Sequence, residues 1–232
     1  MNTNLSKKIK YLYWKYKHGI PAILYTIIYM TWFTYLEKSV TSGYRVIHVS
    51  LDDHIPFCEY FVIPYFLWFF YVVVVLLYCF FHSREDFKRN FIFLSIGMTI
   101  FLIISTLWPN GHHLRPSSMP RENIFTLMVS KLYMTDTATN LWPSIHVYNS
   151  LGTHFAVMHS KKLSSNKFIL YGSGILATSI IMSTMLIKQH SVFDVTTAFF
   201  MSAVMYILVY KSDNMLLFRA HRAKSKTSAQ AS

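Results

Sequence analysis

Two apolar runs separated by a short polar turn fill residues 168–210, which read FILYGSGILATSIIMSTMLIKQHSVFDVTTAFFMSAVMYILVY. Each run holds about 20 residues, the length that an α-helix needs to cross a hydrocarbon core of roughly 30 Å. The turn between the runs is Lys188-Gln189-His190. This stretch predicts two consecutive membrane-spanning helices.

The composition of the whole chain also indicates a membrane protein. Of its 232 residues, 53% are hydrophobic and only 14% are charged, whereas about 25% of the residues of a soluble domain are charged. Three further apolar runs of similar length, Ile20 to Leu36, Tyr60 to Phe81 and Phe91 to Trp108, bring the predicted spans to five. The two cysteines, Cys58 and Cys79, are too few for a disulfide scaffold or a zinc ribbon.

A sixth segment, Pro143 to Ser160, has the length of a span but carries three histidines and several hydroxyl and amide side chains. Charge placement argues that it spans. If it does, sixteen Lys and Arg residues lie on one side of the membrane: five before Ile20, three in 81–90, three in 160–167 and five after Tyr210. Such an excess is typical of the cytoplasmic side. We therefore predict an all-α bundle of six transmembrane helices in the cell membrane, with both termini cytoplasmic.

The same placement accounts for the net charge of +12, so the basicity does not predict a nucleic-acid partner. We predict a basic and aromatic interfacial segment over 1–19, a membrane domain over 20–210, and a basic tail over 211–232 with a disordered end. The loop from Pro109 to Trp142 carries apolar residues at near-helical spacing. This loop is either a short interfacial helix or a loop packed on its own apolar side chains. The sequence leaves the oligomeric state open.

Ionisable side chains inside membrane segments are costly and usually mark functional sites. The sixth segment opens with Trp142-Pro143-Ser144-Ile145-His146. Proline suits the first turn of a helix, and the free N–H groups of that turn attract phosphate. Ser144 adds a hydroxyl donor, and His146 stands within one turn, where it can exchange a proton with a bound group.

His190 and Asp194 form the second candidate pair, one helical turn apart and therefore on the same face. The carboxylate can accept the hydrogen of one ring nitrogen and leave the other nitrogen as a nucleophile or base. The charge count places His146, His190 and Arg115 at the outer ends of their spans. These residues predict an active site that faces outside.

At these residues the chain resembles the type-2 phosphatidic acid phosphatase superfamily, which includes the lipid phosphate phosphatases. That family carries the motifs Lys-x6-Arg-Pro, Pro-Ser-x-His and Ser-Arg-x5-His-x3-Asp on a six-helix core. The second motif is intact here from Pro143 to His146, and the third keeps Ser183, His190 and Asp194 at the family spacing. The resemblance extends over about residues 108–194.

The resemblance implies a membrane phosphatase that acts on a lipid phosphate or a polyprenyl diphosphate without a metal or other cofactor. By this resemblance, His190 attacks the phosphorus and forms a phosphohistidine, while Asp194 orients it. His146 protonates the leaving alcohol and then activates water. Arg115 and Ser144 hold the phosphoryl oxygens.

Two cations of the family pattern are absent, because Trp108 stands at the first-motif Lys and Thr184 at the third-motif Arg. Catalysis of phosphate hydrolysis depends on stabilising charge on the phosphoryl oxygens. Lys188 is the predicted replacement cation, and Arg121 and Ser183 are further candidates for phosphate binding.

Three other interpretations stay open. A lipid phosphotransferase, similar to the inositol-phosphoryl and sphingolipid head-group transferases, would use the same His and Asp residues. A catalytically degenerate relative would serve as a membrane scaffold or transporter. A metal centre would draw its ligands from His112, His113, His146, His190 and Asp194, although their spacing matches no familiar ligand pair on one helix.

Overall fold

The computed structural model describes residues 2–211, and these residues fold almost entirely into helices. The α-helices are α1 (Asn2–Tyr16), α2 (Ile20–Ser39), α3 (Ser50–His54), α4 (Val62–His82), α5 (Arg84–Leu107), α6 (Ile124–Thr135), α7 (Ile145–His159), α8 (Lys161–Ser164), α9 (Lys167–Leu186) and α10 (Val192–Tyr206). Single turns at Lys17–Gly19 and Glu59–Phe61 are 3-10 helix, and Ile207–Lys211 is π-helix. Strands β1 (Arg45–Val46) and β2 (Asn110–Gly111) pair in parallel. The predicted all-α class is confirmed, and the predicted tail lies outside the described residues apart from Lys211.

Five stretches of helix within residues 2–211 are long and apolar enough to cross a membrane. They are Lys10–Ser39, Glu59–His82, Arg84–Leu107, Lys167–Leu186 and Val192–Lys211. Each contains most or all of one of the five apolar runs predicted from the sequence. By the length and composition of these helices, the chain is an integral membrane protein. The sixth predicted segment is also helical, but α7 has only 15 residues and is not one of the five.

Helix α7 lies inside the bundle, where it packs against α4, α5, α9 and α10. Its Tyr148 is fully buried, stacks on Phe93 of α5 with ring centroids 4.7 Å apart, and donates a hydrogen bond to the Phe93 carbonyl at 2.8 Å. Polar side chains of a membrane helix are tolerated where they face other helices and not lipid. Its position explains how α7 can carry the buried polar residues Asn149, Ser150 and Thr153.

The connections after α2, α5 and α9 gather at one end of the bundle, which we call the site end (residues 40–58, 108–144 and 187–191). Pairing of β1 with β2 joins the first two connections, and Gly111 also forms a bridge with Thr139. The second connection contains α6, so the interfacial-helix prediction is correct in its secondary structure. Asn123 caps α6 because its side-chain oxygen accepts the N–H groups of Phe125 and Thr126, each at 2.9 Å.

The close contact between α5 and α7 gives a test of this packing. A methyl group at Gly97 of α5 would overlap the ring of Tyr148, whereas a methyl group at Gly172 of α9 would meet nothing within 4 Å. We expect Gly97→Ala to destabilise the protein by about 1–3 kcal/mol. Gly172→Ala, the matched control, should be neutral or slightly stabilising because alanine favours helix. Thermal unfolding in detergent measures both, and equal midpoints for the two variants would contradict this packing.

Candidate active site

The predicted residues His146, His190 and Asp194 meet at the site end and form a continuous line of contacts. His190 Nδ1 lies 3.4 Å from Asp194 Oδ2, and His190 Nε2 lies 3.4 Å from His146 Nδ1. If Nδ1 of His190 carries the hydrogen toward Asp194, Nε2 holds the lone pair and His146 Nδ1 is the donor between the two rings. Both distances lie at the long end of the range for hydrogen bonds.

The backbone of His190 is fixed by the turn that follows α9. Lys188 adopts the left-handed conformation, with a φ of 53°. The turn then brings the N–H groups of Gln189 and His190 to the carbonyl of Thr184, both at 2.9 Å. A left-handed conformation costs a residue with a side chain roughly 1–2 kcal/mol, so the hydrogen bonds of the turn must offset it. The turn sets where the imidazole can point.

Asp194 lies in the first turn of α10 and has two roles there. Its Oδ2 accepts the N–H of Ser191 at 3.0 Å as part of a capping box between Ser191 and Asp194, and the Ser191 hydroxyl also accepts the N–H of Phe193 at 3.1 Å. The same Oδ2 faces His190. Among the described residues, the other oxygen, Oδ1, has no hydrogen-bond partner although it is buried. Helix capping therefore fixes the carboxylate that orients the histidine.

Two aromatic side chains of α4 hold the ring of His146. Tyr65 stacks on it with ring centroids 4.6 Å apart, and Trp68 lies on it at 4.2 Å. These two rings form an aromatic cage that fixes the orientation of the His146 ring. Sequence reasoning missed Tyr65 and Trp68, because nothing in an apolar run distinguishes aromatic residues that face a histidine from those that face lipid.

Arg115 reaches the same region but most of its N–H groups have protein partners. They donate to the carbonyls of Tyr133 at 3.2 Å and Thr137 at 3.0 Å, and to the Gln189 side-chain oxygen at 2.5 Å. Within the described part of the chain, Nε of Arg115 is a buried donor without a partner. Burial, together with the nearby charge of Arg115, lowers the pKa of His190 to about 3. The imidazole is therefore neutral at physiological pH.

A buried polar network surrounds Arg115 and was not predicted. Asp136 accepts hydrogen bonds from Gln189 Nε2 at 2.9 Å and from the Tyr65 hydroxyl at 3.1 Å. Burial, and secondly the charge of Glu37, raises the pKa of Asp136. Gln189 thus links the arginine to the acid and belongs to the site. Its only signal in the sequence is its place beside His190, since amide side chains at membrane ends are common.

The structure places the other predicted phosphate ligands less directly. The ammonium of Lys188 donates to the carbonyls of Asp52 at 2.9 Å and Ile55 at 2.6 Å, which leaves it bound to the backbone. Arg121 makes a two-point ion pair with Glu59 at 2.8 and 2.7 Å. The hydroxyl of Ser183 donates to the carbonyl of Ile180 inside α9. These three side chains stabilise the site end in the structure.

Ser144 is fully buried and begins α7 beside the histidine pair. Its Oγ accepts the N–H of Val147, and its own N–H faces the carbonyl of Asp194, both at 3.4 Å. The first two N–H groups of the helix, from Ile145 and His146, have no intrahelical acceptor. The start of α7 is therefore joined to α10 and keeps donors for an anion.

The histidines proposed for a metal centre do not assemble into one. Within residues 2–211, no group of three or more His, Cys, Asp or Glu side chains has the geometry to hold a metal ion. His112 Nε2 lies 2.9 Å from the Gln189 carbonyl, and its Nδ1 accepts the N–H of Leu114 at 3.2 Å. His113 is exposed.

Comparison of the chain with family models, curated proteins and solved structures found no match.

The neutral state of His112 predicts sensitivity to acid. Burial lowers the pKa of His112 to about 4. The unfolded chain takes up this proton near pH 6.5, so the contribution of His112 to stability is complete above pH 6.5. It is lost as the pH falls toward 4, by up to about 1.4 kcal/mol per pH unit. We expect His112→Gln to lose stability less steeply than the wild type between pH 6.5 and 4. Thermal unfolding across this range measures the slope, and His113→Gln, the exposed neighbour, should keep the wild-type slope.

The ion pair of Arg121 gives a second test. The Glu59 side chain is fully buried, while that of Arg121 is 56% exposed. Arg121→Ala leaves a buried carboxylate without its cation, so we expect a lower midpoint of thermal unfolding. Glu59→Gln combined with Arg121→Ala should recover part of the loss, because the buried group is then neutral. If Arg121→Ala instead raised the KM for a phosphate substrate with no loss of stability, Arg121 would be a phosphate ligand.

Proposed function

We propose that the chain is an integral membrane phosphatase of the type-2 phosphatidic acid phosphatase kind. It removes phosphate from a lipid phosphate or a polyprenyl diphosphate through a phosphohistidine at His190. The observation that carries this proposal is the line from Asp194 through His190 to His146, in which a carboxylate orients one imidazole and a second imidazole lies next to the nucleophilic nitrogen. A nucleophile, its orienting group and a proton carrier are the parts required for covalent catalysis.

In the first step, Nε2 of His190 attacks the phosphorus, and the bond from phosphorus to the leaving oxygen breaks. The charged form of His146 gives its proton to that oxygen, so the lipid leaves as an alcohol. In the second step, neutral His146 takes a proton from water as the water oxygen attacks the phosphorus. The N–P bond breaks, its electron pair returns to His190, and inorganic phosphate leaves.

Charge on the phosphoryl oxygens is stabilised at the start of α7. The N–H groups of Ile145 and His146 and the positive end of the helix dipole favour an anion there. Ser144 can add its hydroxyl hydrogen, and Arg115 supplies its free Nε donor and a full positive charge. In this proposal Arg115 is the cation that faces the phosphoryl oxygens, while Lys188 is bound to the backbone carbonyls of Asp52 and Ile55.

The proposed topology has six spans, with α7 as the fourth and the active site facing outside. Helix α7 is about 22 Å long at 1.5 Å per residue, shorter than a hydrocarbon core, but the helices around it supply the surface that meets lipid. The sixteen Lys and Arg residues assigned to the cytoplasm favour this orientation. The cell membrane is the proposed location.

A lipid substrate also needs room for its chains beside the site. An apolar groove with a cavity of about 360 Å³ runs between α4 and α9, lined by Tyr60, Phe61, Pro64, Leu67, Gly172, Ile175, Leu176 and Ser179. Helix α4 also carries the aromatic cage of His146, so one helix contacts both the groove and this histidine. This arrangement favours a substrate with its phosphate at the site and its chains in the bilayer.

A direct test measures inorganic phosphate released from a panel of lipid phosphates and polyprenyl diphosphates, with and without diacylglycerol or ceramide as acceptor. Release without acceptor supports the phosphatase. A labelled phosphohistidine that transfers only to an added acceptor indicates the phosphotransferase. If no substrate of the panel labels the protein, and His190→Ala leaves the cellular phenotype unchanged, the scaffold or transporter interpretation replaces the enzyme.

Substitution of the nucleophile gives the matching prediction. We expect His190→Ala to abolish the trapped phosphohistidine and to lower turnover by at least about 10³-fold. Asp194, His190 and His146 would act as a unit, and loss of one such residue costs nearly as much activity as loss of all three. His113→Ala is the control, since this exposed histidine of the site end lies outside the line. Turnover within about twofold of wild type in His190→Ala would exclude the phosphohistidine mechanism.

A further inference from the structure

A carboxylate that the reaction does not use lies buried beside the nucleophile. Asp52, in the short helix α3, is 2% exposed, and both of its oxygens accept hydrogen bonds. Oδ2 accepts the Ser191 hydroxyl at 2.6 Å and the N–H of Val49 at 2.9 Å, and Oδ1 accepts the N–H of Val192 at 2.7 Å. Two of these three donors directly follow His190 in the chain.

The contact is reciprocal, because a residue just before His190 returns to the same helix. The Lys188 ammonium donates to the main-chain carbonyls of Asp52 and Ile55 at the end of α3. A cation suits the carbonyl end of a helix. Asp52 therefore binds the nucleophile's turn on both sides of His190, through its side chain to Ser191 and Val192 and through its carbonyl to Lys188.

The path from Asp52 to the reacting atoms has one intermediate residue. Ser191 donates its hydroxyl to Asp52 and its N–H to Asp194 Oδ2, the oxygen that faces His190. Movement of Ser191 would shift the carboxylate that orients the imidazole. Since Asp52 makes no contact with His190 in these hydrogen bonds, it acts through the turn.

We propose that Asp52 is a positioning residue, an inference that rests on the proposed function. With Ser191, Val192 and Lys188, Asp52 holds the turn so that Nε2 of His190 is aimed at the phosphorus. A carboxylate fits this place because an ionised Asp is acceptor-only and faces three donors. An amide would turn an N–H group toward at least one of them.

The adjacent Asp53 provides a matched control. Its side chain is 62% exposed and pairs with His48 at 2.9 Å. Exposed pairs of this kind contribute little to stability. Asp52→Asn and Asp53→Asn thus make the same chemical change at neighbouring positions, one of which holds the turn.

The experiment measures the rate of phosphohistidine formation, kcat and KM for the full-length wild type and both variants in lipid nanodiscs. We expect Asp52→Asn to slow phosphohistidine formation by about 10- to 100-fold with KM little changed, because a misaligned nucleophile still leaves the phosphate-binding donors in place. Asp53→Asn should match the wild type. Equal rates for the two variants would overturn the proposal.

We call the contacts of α3 with Lys188, Ser191 and Val192 the clamp. Lys188→Met removes the contacts of the clamp that precede His190, and it is the alternative test variant if Asp52→Asn does not fold. It should lower the rate in the same way, and a wild-type rate in Lys188→Met would then count against the proposal. A raised KM with unchanged kcat would instead identify Lys188 as a phosphate ligand and also overturn its place in the clamp.

A readout without substrate separates failure of this inference from failure of the proposed function. In protein with ¹⁵N-labelled histidine rings, we expect His190 to show one tautomer, hydrogen on Nδ1, in the wild type and in Asp53→Asn. Mixed tautomers in Asp52→Asn would support positioning even if no lipid phosphate labelled the protein. A single unchanged tautomer in that variant would reject positioning whatever the activity.

Discussion

The turn between α9 and α10 is the constraint on which the site depends. It must reverse the chain within a few residues and still satisfy its backbone N–H groups at the edge of a low-dielectric region. The carbonyl of Thr184 accepts two of them, and Lys188 takes the left-handed conformation that this requires. These hydrogen bonds fix the backbone of Gln189 and His190. Asp52 and Asp194 add side-chain acceptors on the α10 side of the turn.

Polar groups in this bundle are concentrated where helices shield them from lipid. Helix α7 is the clearest case, because four neighbouring helices surround it. Its first turn meets the start of α10 and the turn before it, so the N–H donors of α7 lie near the imidazole of His190. A helix terminus buried among helices keeps its free N–H groups away from bulk water. An anion binds such groups more strongly there than in water, because the local dielectric constant is lower. This arrangement supports the proposal that an anion binds there.

The cations at the site end differ in whether their donor groups already have partners in the protein. Arg121 is paired with Glu59, and Lys188 is bound to carbonyls of α3. Arg115 is anchored by three acceptors yet keeps one buried donor free. A sequence shows only that a cation is near a motif. Whether its charge is available depends on which acceptors the fold brings to it, and here the acceptors come from segments far away in the chain.

The sequence by itself determined the helical class, the five apolar spans and the pairing of His190 with Asp194, because each follows from local spacing and hydropathy. It also indicated the helix in the loop before Trp142. Only the tertiary structure decided that His146 contacts His190, that Tyr65 and Trp68 enclose His146, and that Asp52 joins the turn. The physical reason is that these contacts join residues of different helices and loops. Their partners are chosen by packing, which leaves no periodic signal in the chain.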